Sequence, residues 1–132
     1  ISLITNGLNN GRILIGGSFT SYDGVSSNRI ARLRADGTLD TSFNPGDGAD
    51  GRVESIVLQP DGKILVGGYF TTFDGENSKK IARLNSNGSF DASFNIGNGV
   101  DNGGVETIAL QPDGKILIGG GFGTVNEVFK KK

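Results

Sequence analysis

The chain has 132 residues, enough for one domain at most, with 13 basic and 14 acidic side chains and a net charge of −1. That balance carries no basic stripe and excludes the nucleic-acid-binding class; the single basic cluster, Lys130-Lys131-Lys132, reads as a terminal tail. Cys, His, Met and Trp are absent, which removes disulfides, thiolate metal sites and the commonest side-chain base, and no run is apolar enough to span a membrane as a helix.

Taken in order, the chain starts at Ile1 with no Met, as a processed product or a segment of something longer would. Residues 1–8 stand where a first strand is expected but lack a clean turn sequence after it. Asn10-Gly11-Arg12-Ile13-Leu14-Ile15-Gly16-Gly17 reads as a strand ending in a glycine pair, Arg29-Ile30-Ala31-Arg32-Leu33 as another, and Asp36-Gly37 as the turn into a short strand ending at Phe43. Residues 53–58 then open a second unit as its first strand. Gln59-Pro60-Asp61-Gly62 is a strong turn signal, because Pro presets φ, Asp accepts a local backbone bond and Gly supplies a positive φ. A second strand is expected over 63–70, a polar loop over 72–78, a third strand over 80–84, an Asn87-Gly88 turn, and a fourth strand over 89–94. After a Gly-rich connection over 96–104, residues 105–120 repeat 53–68 with thirteen of sixteen positions identical.

The chain is therefore an array. Gly16 to Gly67 is 51 residues and Gly67 to Gly119 is 52, giving about two and a half units: 1–51, 52–103 and an incomplete 104–132, in one partial array. The apolar triplets Ile13-Leu14-Ile15, Ile64-Leu65-Val66 and Ile116-Leu117-Ile118 place apolar side chains on both faces of a strand, so each sheet is expected to be covered on both sides. Tandem four-stranded antiparallel units of this length, stacked face to face, predict an all-β, β-propeller-type fold.

Two blocks carry a family resemblance. The pattern V-E-x-I-x-L-Q-P-D-G-K-I-L-[VI]-G-G-x-F, followed by I-A-R-L-x-x-[DN]-G-x-[LF]-D-x-S-F-N, resembles the delta-60 repeat. This is a β-propeller repeat of large bacterial secreted and surface proteins, mostly of unassigned function. The resemblance covers nearly the whole chain and departs at both ends, where residues 1–8 and those after Phe122 lose the pattern. It implies an extracellular structural setting. A propeller needs about four blades or more, so the array is completed by further repeats of a longer polypeptide, by copies closing a ring, or by head-to-tail copies in a filament.

Candidate chemistry is thin. Asp40 and Asp91 recur at equivalent positions, and a paired-carboxylate acid/base site would need them together. Copies in different units read better as structural acceptors, each pairing with Arg32 or Arg83 of its own unit. Glu54 and Glu106 are likewise duplicated and read as structural. The oxygen-rich stretches Asp47-Gly48-Ala49-Asp50 and Asn98-Gly99-Val100-Asp101 have the composition of Ca²⁺ loops, but the ligand order of known loops is missing and turns explain them better. The glycine pairs follow strands without opening helices, so they are not phosphate loops. Asn87-Gly88-Ser89 has the form of a glycosylation acceptor, yet its counterpart Asp36-Gly37-Thr38 makes it a turn. The differing loop residues Tyr22, Val25, Ser26, Ser27 and Asn28, against Phe73, Glu76, Asn77, Ser78 and Lys79, are the better candidates for a binding rim.

These readings name no catalytic, cofactor or metal residue. They point to a non-enzymatic, secreted or cell-surface structural or adhesion module. Its expected partners are further repeats or copies of itself, with a glycan or surface protein as further candidates and neither nucleic acid nor membrane insertion. The alternative is a carbohydrate- or protein-binding module using the variable loops.

Overall fold

The computed structural model describes residues 12–94, 103–112, 115–120 and 129–130. Expectations for residues 1–8, for Asn98-Gly99-Val100-Asp101 and for the segment after Phe122 up to residue 128 lie outside the described residues. The strands are β1 (Ile13–Gly16), β2 (Ser21–Tyr22), β3 (Val25–Ser26), β4 (Ile30–Leu33), β5 (Val53–Leu58), β6 (Ile64–Gly68), β7 (Thr72–Phe73), β8 (Glu76–Asn77), β9 (Ile81–Leu84), β10 (Val105–Leu110), β11 (Lys115–Gly120) and β12 (Phe129–Lys130). Every pairing is antiparallel, and no described residue is helical.

The middle unit shows how the sequence builds its sheet. Gln59 N–H bonds the Lys63 carbonyl at 2.8 Å and Gly62 N–H the Gln59 carbonyl at 3.0 Å, with Gly62 at φ 92°, so the Pro-Asp-Gly turn folds β6 back on β5. The order is β5-β6-β9, with Ile64 opposite Leu84 and Gly67 opposite Ile81. A bulge between Val53 and Ser55 recurs between Val105 and Thr107, opposite the glycine pair of each unit. In the first unit the described sheet is β1-β4, and in the third it is β10-β11-β12.

Two expectations are corrected. The fourth strand is reduced to a single bridge, Leu84 with Phe90 in the second unit and Leu33 with Leu39 in the first. Beyond that bridge the backbone turns to hydrogen-bond within itself, Phe94 N–H to the Asp91 carbonyl at 3.2 Å, so no ladder continues. Residues 72–78 are not a plain polar loop. Asp74 (φ 51°) and Gly75 (φ 79°) are both left-handed, the geometry of a tight type I′ turn, and they pair β7 with β8. Asp23 and Gly24 do the same between β2 and β3. This hairpin carries Phe73 into the core, where it meets Phe70 edge-on at 6.1 Å.

The apolar triplets divide between layers. Ile64 and Val66 join Leu14, Val53, Ile56, Ala82 and Leu84 in one cluster, while Leu65, between them in sequence, joins Ile81, Val105, Ile108 and Ile116 in another. A third cluster holds Ile15, Phe19, Ala31 and Leu33. Successive residues thus serve the junctions on either side of one sheet, and units pack face to face. Each fully buried Leu or Ile contributes about 1.5–3 kcal/mol. The glycine pair lets the next unit approach: a Cβ on Gly16 would lie 2.5 Å from Val53 Cγ1, and one on Gly67 2.6 Å from Val105 Cγ1.

Candidate functional site

The most repeated polar arrangement joins β9 to the segment after it. Arg83, only 1% exposed, donates from Nε to Asp91 Oδ2 at 2.8 Å, and its guanidinium lies 4.8 Å from the Phe94 ring centroid. Asp91 Oδ1 accepts the Ser93 N–H at 3.0 Å and Oγ–H at 2.6 Å. The first unit reproduces this with Arg32 Nε to Asp40 Oδ2 at 2.9 Å, Arg32 over Phe43 at 4.9 Å, and Ser42 on Asp40 Oδ1. Arg12 Nε adds an ion pair to Asp40 at 2.7 Å, as Lys63 Nζ does to Asp91 at 3.4 Å. Burial on its own would raise these carboxyls, but the Ser hydroxyl and amide and the guanidinium outweigh it. Asp40 is brought down to about 2, and Asp91 is lowered by the corresponding contacts.

Both oxygens of each carboxylate are therefore committed within their own unit. The two are not brought together as an acid/base pair. One donor differs between the units: Arg32 Nη1 reaches across to the Ser86 carbonyl in the next unit at 2.8 Å, whereas Arg83 Nη1 is buried with no hydrogen-bond partner among the described residues.

The connection over 44–52 is clamped from both sides. Asn28 Nδ2 donates to the Asp47 carbonyl at 2.9 Å and Arg29 Nη1 to the Ala49 carbonyl at 3.0 Å. From the second unit, Asp74 Oδ1 accepts the Asp47 N–H at 2.8 Å. The Asp50 carboxylate accepts N–H groups of Thr71 at 2.8 Å and Thr72 at 3.1 Å and the Thr71 hydroxyl at 2.9 Å. Burial opposes the Asp50 charge, and these bonds prevail and lower its pKa. Asp47 contributes its backbone to this clamp and Asp50 its carboxylate. Among the described residues no three or more carboxylates gather.

The other sequence candidates have local partners. Glu54 pairs with Arg52, whose guanidinium lies 4.5 Å from the Tyr69 ring centroid, and Glu106 accepts the Tyr69 hydroxyl across the second junction. That bond, with burial second, raises the Tyr69 pKa. Asn87 Oδ1 accepts the Ser89 N–H at 3.0 Å, as Asp36 Oδ1 accepts that of Thr38 at 3.0 Å, so both close turns.

Among the variable loop residues the structure is selective. Ser27 and Ser78 are the same residue in register, both buried, and each donates to its own hairpin, to the Val25 carbonyl at 3.2 Å and the Glu76 carbonyl at 3.1 Å. They leave the variable set. Phe73 is core, and Tyr22 hydrogen-bonds the Gly37 carbonyl at 2.9 Å. Val25, Ser26, Glu76, Asn77 and Lys79 remain exposed.

Val25 and Ser26 border a cleft of about 190 Å³ whose wall also includes Asn28, Leu39, Thr41 and Asn44. It is smaller than the roughly 300–1,000 Å³ of drug-sized ligand sites. Its exposed rim sets the apolar Val25 beside the neutral polar Ser26, Thr41 and Asn44, and the hydrogen-bonded Arg32–Asp40 pair lines it from below. Of the variable-loop candidates Tyr22, Val25, Ser26, Ser27 and Asn28, all but Tyr22 line this cleft, whereas Thr41 and Asn44 were not among the candidates. These two flank the Asp40 motif, and only the fold brings them opposite the hairpin. Gln59 was also missed: it is buried, and among the described residues neither of its amide atoms has a hydrogen-bond partner.

A family described as a domain of unknown function (DUF5122) β-propeller matches the chain over residues 8–43, 59–94 and 111–129, more than half of its length. The matches start 51 and 52 residues apart, in step with the repeat, and the first two end on Phe43 and Phe94 of the Arg–Asp–Phe motif. No curated protein and no solved structure matches.

Proposed function

This chain belongs to the DUF5122 β-propeller family, and from that premise we propose that it is a non-enzymatic structural or adhesion module of the delta-60 type, secreted or displayed at the cell surface. One observation carries the reading: the duplicated carboxylates Asp40 and Asp91 spend both oxygens on the Arg and Ser of their own unit. A carboxylate held in that way is a poor general base, because its protonated form is disfavoured at neutral pH and its lone pairs are occupied. The extracellular setting rests on the resemblance of both repeated blocks to secreted and surface proteins. An antibody against the chain is expected to label intact cells of its source; labelling only after permeabilisation overturns the setting. Under this reading, metal chelation leaves the melting temperature unchanged, and a fall on chelation would return the Asp47–Asp50 stretch to consideration as a cation loop.

A second reading is favoured by the cleft. Its rim, the apolar Val25 beside neutral polar groups, suits a carbohydrate or a peptide side chain, held by Ser26, Thr41 and Asn44. Glycan- and peptide-array binding that is lost in a Ser26→Ala, Thr41→Val double variant supports this reading. Absence of binding on either array removes it.

A further inference from the structure

The cleft beside Val25 and Ser26 has a strand edge on its wall. Asp23-Gly24 closes the β2–β3 hairpin, with Tyr22 opposite Val25 and Ser21 opposite Ser26. In a hairpin closed by two residues, the pair next to the turn exchanges its backbone bonds, and the following pair turns its N–H and C=O groups outward. The Ser27 N–H donates to the Thr20 carbonyl at 2.9 Å, which sets this pattern and leaves Ser26 in the outward position. Among the described residues, neither backbone group of Ser26 has a partner. Across the cleft stands Thr41, exposed and also without a hydrogen-bond partner among the described residues. The second unit shows that a hairpin of this kind can seat an extended segment. There Ala49 forms an antiparallel bridge with Phe73 of β7, the Asp50 N–H donating to the Thr72 carbonyl at 3.2 Å and the Asp74 N–H to the Gly48 carbonyl at 2.7 Å.

We propose that the cleft binds an uncharged, extended peptide segment, which adds to the outer edge of β3 through the backbone of Ser26. This rests on the binding reading of the cleft given above and commits it to a peptide held by its main chain. The surroundings favour a peptide over a sugar. An extended peptide carries an N–H and a C=O spaced to meet both groups of one strand residue, as in β-strand addition. Val25, 48% exposed, borders the same edge and gives an apolar side chain of the peptide a surface to cover. The aromatic ring on the wall, Phe43, is buried with the Arg32 guanidinium 4.9 Å from its centroid, so it offers no open face for a sugar to stack on. Arg32 and Asp40 are the charged residues of the wall, and they bond each other at 2.9 Å. A charge on the peptide would therefore lose water without gaining a partner. On the β8 hairpin of the second unit, Glu76, Asn77 and Lys79 stand for Val25, Ser26 and Asn28, and Ala92 stands for Thr41, so that edge does not repeat the neutral site.

A library of capped, uncharged hexapeptides alternating apolar and polar residues, screened against the 132-residue chain by fluorescence anisotropy, tests this. A binder is expected, and N-methylation of one central amide in its backbone should weaken it about tenfold. In the protein, Ser26→Pro removes the outward N–H at a position that gives no bond to β2, and is expected to weaken binding about tenfold as well. Ser26→Ala keeps the backbone and should change affinity less than about threefold. Asn77→Pro, the same change on β8, is the control and leaves binding unchanged. Circular dichroism checks folding, and the N-methyl series, which leaves the protein untouched, keeps the test decisive if Ser26→Pro disturbs the hairpin. No binder in the library overturns the proposal, as does a binder indifferent to both N-methylation and Ser26→Pro. Binding of glycans without peptides leaves the binding reading standing and overturns the peptide. A loss with Ser26→Ala as large as that with Ser26→Pro assigns the contact to the side chain, which keeps the binding reading and overturns the strand addition.

Discussion

Asp40 shows what a single residue contributes. Its carboxyl is held at about 2, below the ordinary Asp value of about 3.9. A group whose folded pKa is depressed adds stability that is present above the unfolded value and lost as pH falls through the folded one. The melting temperature is therefore expected to decline from about pH 4 toward pH 2. Asp40→Asn should flatten that decline and cost about 3 kcal/mol at neutral pH, because it strips a buried cation of its partner; thermal denaturation across a pH series reads both effects. Arg32→Lys is expected to destabilise more than Arg83→Lys by about 1 kcal/mol, since only Arg32 reaches the Ser86 carbonyl and Arg83 holds an unpaired donor. Gln59→Leu removes two buried amide atoms that lack partners among the described residues and is expected to stabilise by about 1 kcal/mol; urea denaturation compares all three variants with wild type. The Arg–Asp pairing was legible from recurrence, because a charge set between apolar strand residues needs a counter-ion and each unit offers one eight positions on. The fate of Gln59 was not legible, because a Gln beside Pro-Asp-Gly reads as part of an exposed turn.

Among the elements, the glycine pair and the small hairpin teach different lessons. Gly67 stands where a Cβ would press on Val105, so Gly67→Ala is expected to cost about 1–3 kcal/mol by overpacking. Gly119→Ala, in the same strand position of the third unit, should cost much less. Equal losses in chemical denaturation would show that the slot is not what selects glycine. The sequence allowed either a close approach or a bulge at the pair, and both occur, one on each side of the strand. The β7–β8 hairpin was read as a polar loop because six of its seven residues are polar or Gly. Asp74-Gly75 was the available signal, since a pair that accepts two positive φ values closes a two-residue hairpin. The expected fourth strand failed for a related reason. Alternation in Leu39 and Phe43, or Phe90 and Phe94, resembled a strand, but Asp40 and Asp91 draw the backbone into a turn after one bridge.

The whole molecule behaves as neighbouring units joined by junctions, and its stability is expected to be nearly a sum of unit and junction contributions. Val53→Ala and Val105→Ala enlarge different junctions and belong to different apolar clusters. The loss in the double variant should equal the sum of the two single losses to within about 0.5 kcal/mol. A larger departure, measured by urea denaturation, would mean that the junctions are coupled through the middle sheet. Sequence alone determined the repeat length, the all-β class, the face-to-face stacking and the pairing of each buried Arg. Those follow from local periodicity and from the cost of an unpaired charge, both of which act within one unit. Tertiary structure alone decided which apolar face is covered, where Thr41 and Asn44 meet the hairpin, and that Leu117 stands open where Leu14 and Leu65 are closed. Near-identical strands cannot reveal this difference, because the burial of a face depends on the neighbour that packs against it.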